Sequence, residues 1–329
     1  MTEPVIERAV TALRAGELVA FPTETVYGLG ADAENAAAVR RIFEIKRRPR
    51  EHPLIVHIAA ADQLGHWAAN VPDAARRLAE LFWPGPLTLI VRRSGRVSDV
   101  VTGGLDTIGL RVPNHATALA MLRSFGGGVA APSANRFGRV SPTTADHVRE
   151  DLGDDVAVIL DGGACSVGLE STIVDLSSGE PAILRPGGVT REQLEAALGR
   201  PVPQRSGGPV RSPGQHASHY APRAQVIIVA ESELGDRAAE QRSRGARTVV
   251  LCSRQVALPS GIERLPLPES LGDVAQTLYA TLREVDRRGC DVALVVLPPE
   301  AGLGAAISDR LRRAAGPRGS LIPDSGAYP

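Results

Sequence analysis

Hydrophobic residues in the first two hundred positions follow two alternating spacings. Short β-branched runs predict strands, and apolar residues three and four positions apart, such as Val39, Ile42 and Phe43, predict helices. The predicted strands cover 18–21, 54–58, 87–91, 108–112, 156–160, 171–176 and 182–184. The predicted helices cover 5–13, 36–46, 74–82, 116–122, 143–151 and 190–198. This alternation predicts an α/β domain, and the clustered late strands favour a mixed sheet.

Proline and glycine interrupt this pattern between 200 and 223, which predicts a linker. The linker carries His216, His219 and Tyr220, and such groups are expected to pack on another part of the protein. A smaller Rossmann-like α/β unit follows, with strands at 226–229, 248–251 and 292–297 and helices at 233–243, 274–287 and 303–314. We therefore predict domains over 1–199 and 224–329, joined by the linker over 200–223.

Composition narrows the functional classes. The 329 residues carry 37 basic and 37 acidic side chains, so the net charge gives no indication of non-specific nucleic-acid binding. The three cysteines are scattered and lack metal-ligand spacing, and we expect no metal ligand from the protein. With no signal-peptide pattern and no long apolar run, we expect a soluble cytoplasmic protein.

Lysine is almost absent from the chain, because 36 of the 37 basic side chains are arginine and the single lysine is Lys46. An ammonium is a compact point charge, whereas a guanidinium is a broad planar fork. Lys46 lies in a basic stretch with Arg48, followed by Pro49, which suits an anion site. A solvated helix end is the alternative, since cations also favour a helix C-terminus.

Three further polar segments follow predicted strands, where α/β folds place ligands. In 22–30, the hydroxyls of Thr23, Thr25 and Tyr27 would share one face of an extended chain. The segment over 130–144 offers short polar groups and Thr143 as a helix cap, which would suit phosphate. The segment over 168–188 contains Arg185 between an apolar strand and Pro-Gly-Gly. The residues thus predict a domain that binds phosphate and a small molecule.

Together these segments resemble the YrdC-like family in its long, two-domain form of threonylcarbamoyl-AMP synthases. The resemblance rests on Pro-Thr-Glu-Thr-Val-Tyr-Gly-Leu-Gly at 22–30, Lys-x-Arg-Pro at 46–49, Ser-Ala-Asn at 133–135, Ser-Pro-Thr at 141–143, Glu-Ser-Thr-Ile-Val-Asp-Leu at 170–176, and Ser-Pro-Gly with His-Tyr-Ala-Pro at 212–222. It implies a twisted mixed-sheet catalytic domain. It also implies synthesis of L-threonylcarbamoyladenylate from L-threonine, bicarbonate or CO2, and ATP, with Mg²⁺ accompanying ATP.

The resemblance assigns residues to two subsites. The L-threonine pocket would contain Thr25, His57, Arg111, the backbone at Ala131, and Ser171. The nucleotide would contact Lys46, Arg48, His52, Thr107, Ser133, Asn135, Ser141, Arg185 and Tyr220. Lys46 and Arg48 would act on the phosphates as catalytic residues, and the linker would cover the site as a lid. Downstream partners would be the proteins that transfer the threonylcarbamoyl group to tRNA, whereas direct tRNA binding stays open.

Two positions depart from the family pattern. Arg47 stands where glycine is usual, so we expect a slightly reshaped loop, and His52 stands where asparagine is common. His52 can donate to a phosphate, but its charge can change near neutral pH. Two other functions compete with the synthase: a double-stranded-RNA-binding module that uses the basic surface over 40–50, and a carbamoyl-transfer domain.

Overall fold

A computed structural model describes residues 3–205, 220–253, 255–258 and 260–316. The linker histidines His216 and His219 and the C-terminal tail lie outside the described residues. Within the described ranges, no helix has the length and apolar character needed to cross a membrane.

The first unit is an α/β domain with one large mixed sheet. Its helices are α1 Glu3–Arg14, α2 Ala36–Lys46, α3 Leu64–Trp67, α4 Asp73–Phe82, α5 Asp99–Thr102, α6 Ala116–Phe125, α7 Ala145–Leu152 and α8 Arg191–Leu198. Its strands are β1 Val19–Phe21, β2 Gly28–Asp32, β3 Ile55–His57, β4 Leu87–Arg92, β5 Thr107–Arg111, β6 Val129–Ala130, β7 Val158–Ile159, β8 Thr172–Asp175 and β9 Ala182–Arg185. The strand order among the described residues is β7-β1-β2-β6-β3-β5-β4-β8-β9.

The sheet contains both parallel and antiparallel pairs, which confirms the predicted mixed topology. β3 and β5 run parallel, β4 and β8 run parallel, and β2, β3 and β6 pair antiparallel. Helices cover the sheet, so strand residues such as Leu89 and Leu110 are fully buried. The helix α2 has the predicted bounds because Asn35 caps its start, accepting N–H donors from Ala37 and Ala38 at 3.1 Å.

Two glycines of the 22–30 segment permit close packing of β2 on β1. A Cβ at Gly30 would lie 2.6 Å from Val129 Cγ1 and 2.9 Å from the Phe21 ring. A Cβ at Gly28 would lie 3.2 Å from the same ring. Close packing of the strands therefore explains why both positions of this Gly-x-Gly are glycine.

The second unit is a smaller α/β layer with a parallel sheet. Its strands are β10 Gln225–Ile228, β11 Thr248–Ser253, β12 Glu263–Leu267 and β13 Val292–Val295, and its helices are α9 Leu234–Ser243, α10 Leu271–Arg287 and α11 Leu303–Ala315. The strand order among the described residues is β10-β13-β11-β12. The apolar face of α10 is buried, including Leu278, Tyr279 and Leu282. This arrangement confirms the predicted Rossmann-like layer.

Two local predictions were wrong. Thr144, not Thr143, caps α7, and its hydroxyl accepts the His147 N–H at 3.2 Å. The segment before β2 is bent rather than extended, so its three hydroxyls do not share one face. Thr23 and Thr25 hydrogen-bond to each other at 2.8 Å, whereas the Tyr27 hydroxyl donates to Gly163 O at 2.8 Å. Only the two threonines reach the cavity described next.

Candidate active site

A cavity lies where several strands of the large sheet end. β3 and β5 finish side by side, and His57 pairs with Arg111 across them. Ala131 follows β6 directly, Ser171 precedes β8, and Arg185 is the last residue of β9. Nine of the predicted site residues line this cavity: Thr25, Arg48, His57, Arg111, Ala131, Ser133, Ser171, Arg185 and Tyr220. The sheet topology therefore brings together residues that are far apart in the sequence.

The predicted threonine end contains a buried ion pair. Arg111 Nη2 lies 2.8 Å from Glu24 Oε2, and Arg111 Nε donates to Gly85 O at 3.3 Å. Both side chains are at least 95% buried. The other oxygen of Glu24 is buried and has no hydrogen-bond partner among the described residues. The pair holds the guanidinium against the cavity wall, and Glu24 is a residue that sequence reasoning missed.

His57 is an uncharged polar group in this pocket. Burial, reinforced by the nearby Arg111 charge, lowers the pKa of His57 to about 3. Its ring packs edge-on against Phe21, with centroids 5.6 Å apart. Its Nδ1 is buried and lacks a hydrogen-bond partner within the described ranges. An unsatisfied ring nitrogen is costly in a core, so it favours a polar ligand at this place.

Lys46 lies behind the loop that carries Ser133 and does not line the cavity itself. Its ammonium donates to Ser133 O at 2.6 Å and to the carbonyl oxygen of Asn135. The Ser133 hydroxyl donates to Asn135 Oδ1 at 2.6 Å. The lysine is 2% exposed, and burial lowers its pKa well below the ordinary value. The structure therefore places three predicted nucleotide contacts in one hydrogen-bonded group.

Arg48 and His52 both contact the Phe137 ring. The Arg48 guanidinium carbon lies 5.9 Å from the ring centroid, and the His52 ring centroid lies 5.5 Å from it. Arg48 Nη2 donates to Pro53 O at 3.2 Å, and burial lowers the Arg48 pKa to about 10. Arg48 lines the cavity, whereas His52 is buried beside it without lining it.

Arg47, the departure from the family pattern, adopts the left-handed backbone conformation with φ 53° and ends α2. Its N–H donates to the carbonyl oxygens of Glu44 and Phe43. This is the conformation that glycine adopts without strain. The helix end thus imposes the glycine-like geometry on an arginine, and the exposed side chain of Arg47 has the solvent space that it needs.

Arg185 is held against the start of β8. Its Nε and Nη2 donate to Ser171 O at 3.2 and 3.0 Å, and Nη2 also reaches the Ser171 hydroxyl at 3.2 Å. The turn after Arg185 passes close to the same backbone, since a Cβ at Gly187 would lie 2.4 Å from Glu170 O. The Pro-Gly-Gly sequence thus allows the approach that fixes this cation.

Glu170 also lines the cavity and is a second residue that sequence reasoning missed. Its Oε1 accepts a hydrogen bond from the Ser141 hydroxyl at 2.7 Å, so Ser141 lies behind the cavity wall. Tyr220 belongs to the linker and is the first residue described after 205; it is 1% exposed and lines the cavity. Thr107, at the start of β5, is buried and does not line the cavity.

Two family models match the chain. One, described as telomere recombination and named Sua5, YciO and YrdC together, matches residues 11–187. The other, the C-terminal domain of threonylcarbamoyl-AMP synthase, matches residues 189–316. The chain belongs to the YrdC-like family of threonylcarbamoyl-AMP synthases. The predicted fold and family are thereby confirmed for both units.

Individual relatives of this family match nearly the whole chain. The threonylcarbamoyl-AMP synthase of Pyrococcus abyssi is 42% identical over 324 residues, which cover 95% of this chain and 94% of the relative. That of Bacillus subtilis is 42% identical over 330 residues, covering 96% and 94%. The crystal structure of P. abyssi Sua5 complexed with L-threonine superposes with a TM-score of 0.90 at 41% identity, covering 94% of each chain.

Proposed function

We propose that this protein joins L-threonine, bicarbonate and ATP into L-threonylcarbamoyladenylate, with release of pyrophosphate, for threonylcarbamoyladenosine modification of tRNA. Full-length relatives of the same family carry the name of this activity. The observation that carries the proposal is one cavity walled by three buried arginines, Arg48, Arg111 and Arg185, beside an uncharged histidine. Such a cavity can hold a carboxylate and a polyphosphate together without any metal ligand from the chain.

The threonine would bind at the end formed by Arg111 and His57. A guanidinium can hold a carboxylate through two parallel N–H donors. The Nδ1 of His57, a residue that lines the cavity, has no hydrogen-bond partner among the described residues and would bind the hydroxyl or the amine of the amino acid. Thr25, Ala131 and Ser171 complete this end of the cavity. This arrangement leaves the amine close to the cavity interior, where it must react.

The reaction would proceed in two bond-forming steps. The free amine of threonine adds to the carbon of CO2, which gives a carbamate and releases a proton. A carbamate oxygen then attacks the α-phosphorus of ATP, and pyrophosphate leaves with the bonding electrons. No side chain becomes acylated, so positioning and charge stabilisation account for the catalysis.

Cations and hydroxyls would hold the phosphates and the nucleoside. Arg48 and Arg185 lie at the cavity, and Lys46 fixes the Ser133 loop from behind. We propose nucleotide contacts also for the remaining predicted residues, His52, Thr107, Asn135, Ser141 and Tyr220. Of these, Tyr220 lines the cavity, while His52, Asn135 and Ser141 would act through the loops beside it and Thr107 through the start of β5.

Magnesium would enter with ATP rather than be held by the protein. Among the described residues, no group of three or more His, Cys, Asp or Glu side chains could hold a metal ion. The carboxylate at the cavity, Glu170, already accepts hydrogen bonds on both oxygens. Bound to the phosphates, Mg²⁺ would neutralise their charge while the arginines orient them.

The domain roles extend this proposal. Residues 1–199 would form the catalytic domain, and 200–223 would act as a lid that excludes water from the labile adenylate. Residues 224–329 would anchor that lid. The product would pass to the proteins that transfer the threonylcarbamoyl group to tRNA, and a cytoplasmic location stays a prediction.

Incubation of the purified protein with threonine, bicarbonate and ATP tests the function directly. We expect pyrophosphate release that requires threonine and bicarbonate. Serine and valine in place of threonine serve as controls for the amino-acid pocket. Double-stranded RNA binding without such release would instead favour the RNA-binding alternative and would refute the synthase.

A further inference from the structure

The carboxylate of Glu170 connects the cavity to the second unit. Its Oε2 accepts hydrogen bonds from the Tyr279 hydroxyl on α10 and from Arg310 Nε on α11, both at 2.7 Å. Its Oε1 accepts the bond from Ser141 on the first unit. Both carboxylate oxygens of Glu170 are therefore oriented by residues that do not line the cavity.

Arg310 does not line the cavity, but its guanidinium contacts Glu170, Pro186 and Tyr220, which lie at or beside it. It is fully buried, and Nη2 donates to Pro186 O at 3.0 Å, in the turn that follows Arg185. Its guanidinium carbon lies 5.2 Å from the centroid of the Tyr220 ring. A fully buried guanidinium is rare unless it is paired, and here Arg310 pairs with two carboxylates, Glu170 at 2.7 Å and Asp309 at 2.6 Å.

Tyr220 is held in an unfavourable backbone conformation by the same residues. Its φ is +63°, in the left-handed region that side chains rarely adopt. The Tyr279 ring stacks on it at 5.7 Å with 25° between the planes, and the Arg310 guanidinium approaches from 5.2 Å. Such backbone strain persists only where surrounding contacts determine it.

Glu170 also carries a negative charge at the cavity, which the neighbouring arginines offset. Burial raises the Glu170 pKa, but the charges of Arg310 and Arg185 and the hydrogen bonds from Ser141 and Arg310 together outweigh it and hold the pKa at about 2, so the carboxylate is ionised at neutral pH. An unpaired carboxylate at the cavity would repel an anionic nucleotide. The ion pair with Arg310 at 2.7 Å compensates that charge without occupying the cavity.

We propose that Arg310, Tyr279 and Glu170 form a positioning cluster, through which the second unit completes the nucleotide end of the site. The cluster orients Ser141 and Tyr220 and neutralises the cavity carboxylate. Arg310 and Tyr279 are positioning residues, since neither lines the cavity. This inference rests on the proposed function, because it assumes that Glu170 and Tyr220, which line the cavity, face ATP.

Arg283 provides a matched control for simple docking of the two units. It is buried on α10, donates to Val140 O at 2.7 Å and forms an ion pair with Asp151 across the same interface. None of these three residues lines the cavity. If Arg310 only fastens the two units together, then Arg310→Gln and Arg283→Gln should affect the enzyme alike.

The test measures pyrophosphate release against ATP and against threonine for both variants, with the melting temperature as a measure of folding. We expect Arg310→Gln to raise the KM for ATP about tenfold, an effect of one lost charged contact, with little change in the KM for threonine. Arg283→Gln should lower the melting temperature and leave both KM values near wild type. Equal kinetic effects of the two variants, or none from Arg310→Gln, would overturn the proposal.

Tyr279→Phe keeps the stacked ring and removes one donor to Glu170, so it tests the cluster if Arg310→Gln fails to fold. It should raise the KM for ATP by about threefold, as expected for one neutral hydrogen bond. Calorimetric binding of a non-hydrolysable ATP analogue to the wild type and both variants supplies a readout independent of turnover. A wild type that binds the analogue but releases no threonine-dependent pyrophosphate refutes the proposed function, whereas equal analogue affinities of wild type and variants refute the cluster.

Discussion

Replacing Lys46 separates its charge from its shape. Its ammonium lies within hydrogen-bond distance of two backbone carbonyls, those of Ser133 and Asn135, in a site that is 2% exposed. Lys46→Arg keeps the charge but introduces a planar fork with a different reach. Lys46→Met keeps the approximate length and removes charge and donors together. The two variants therefore test whether this site requires a compact cation.

The structure sets the expected size of each effect. A hydrogen bond to a charged group contributes about 1.5–3 kcal/mol, so two such bonds give an upper limit of about 6 kcal/mol. The lowered pKa of Lys46 indicates that desolvation of the ammonium offsets much of this. We expect Lys46→Met to lower the free energy of unfolding by about 2 kcal/mol. Overpacking by Lys46→Arg should cost about 1–3 kcal/mol.

The activity should fall much further than the stability. Displacement of the Ser133 loop would misplace the groups proposed to hold the phosphates, so we expect Lys46→Arg to lose about 100-fold in pyrophosphate release. Circular dichroism and thermal unfolding should show a folded protein. Arg41→Lys is the control, since Arg41 lies on the same helix, half exposed, and pairs with Glu17. Near-normal turnover of Lys46→Arg would refute the requirement for an ammonium.

Three further predictions concern single residues. Arg111→Lys should raise the KM for threonine about tenfold in steady-state kinetics, because a point charge cannot bind a carboxylate through two parallel donors, and a larger effect on ATP would contradict this. The pKa of His57 is about 3 in the folded protein, below the ordinary 6.5, so the unfolded state binds a proton more readily than the folded state does. The free energy of unfolding should therefore fall as the pH drops from 6.5 toward 3, by up to about 1.4 kcal/mol per pH unit. In chemical denaturation, the free energy of unfolding of His57→Asn should fall less steeply with pH than that of the wild type. His66→Asn, at an exposed position, is the control and should show the wild-type pH dependence. Arg47→Gly should raise the free energy of unfolding by about 1 kcal/mol with unchanged activity, and a lower value in chemical denaturation would exclude strain at this position.

Most helices and strands of the two units follow from the periodicity of their residues, whereas three strands do not. β6 has two residues, and β2 begins with Gly-Leu-Gly, so neither presents an alternating pattern long enough to detect. β12 contains Pro266 and lies at the edge of its sheet, where a missing N–H is tolerated. Tertiary pairing, rather than local preference, determines these three strands.

The polar motifs predicted which residues would meet, but not what holds them. Lys46 and Ser133 lie 87 positions apart and are joined by a hydrogen bond that the motif alone could not specify. Glu170 was within a recognised segment, yet its role depends on Arg310, which lies 140 positions away. From the sequence alone, an arginine on an amphipathic helix is predicted to be a solvent-exposed cation, and only the structure identifies its neighbours.

Burial, rather than residue type, distinguishes the arginines that matter in this chain. Because 36 of its basic residues are arginine, composition alone does not distinguish a functional one. Among the described residues, the buried arginines are Arg48, Arg111, Arg185, Arg283 and Arg310. The first three line the cavity and the last two cross the interface between the units. Burying a guanidinium is unfavourable unless it is paired. Among the described residues, buried arginines therefore mark the cavity and the contacts between the two units.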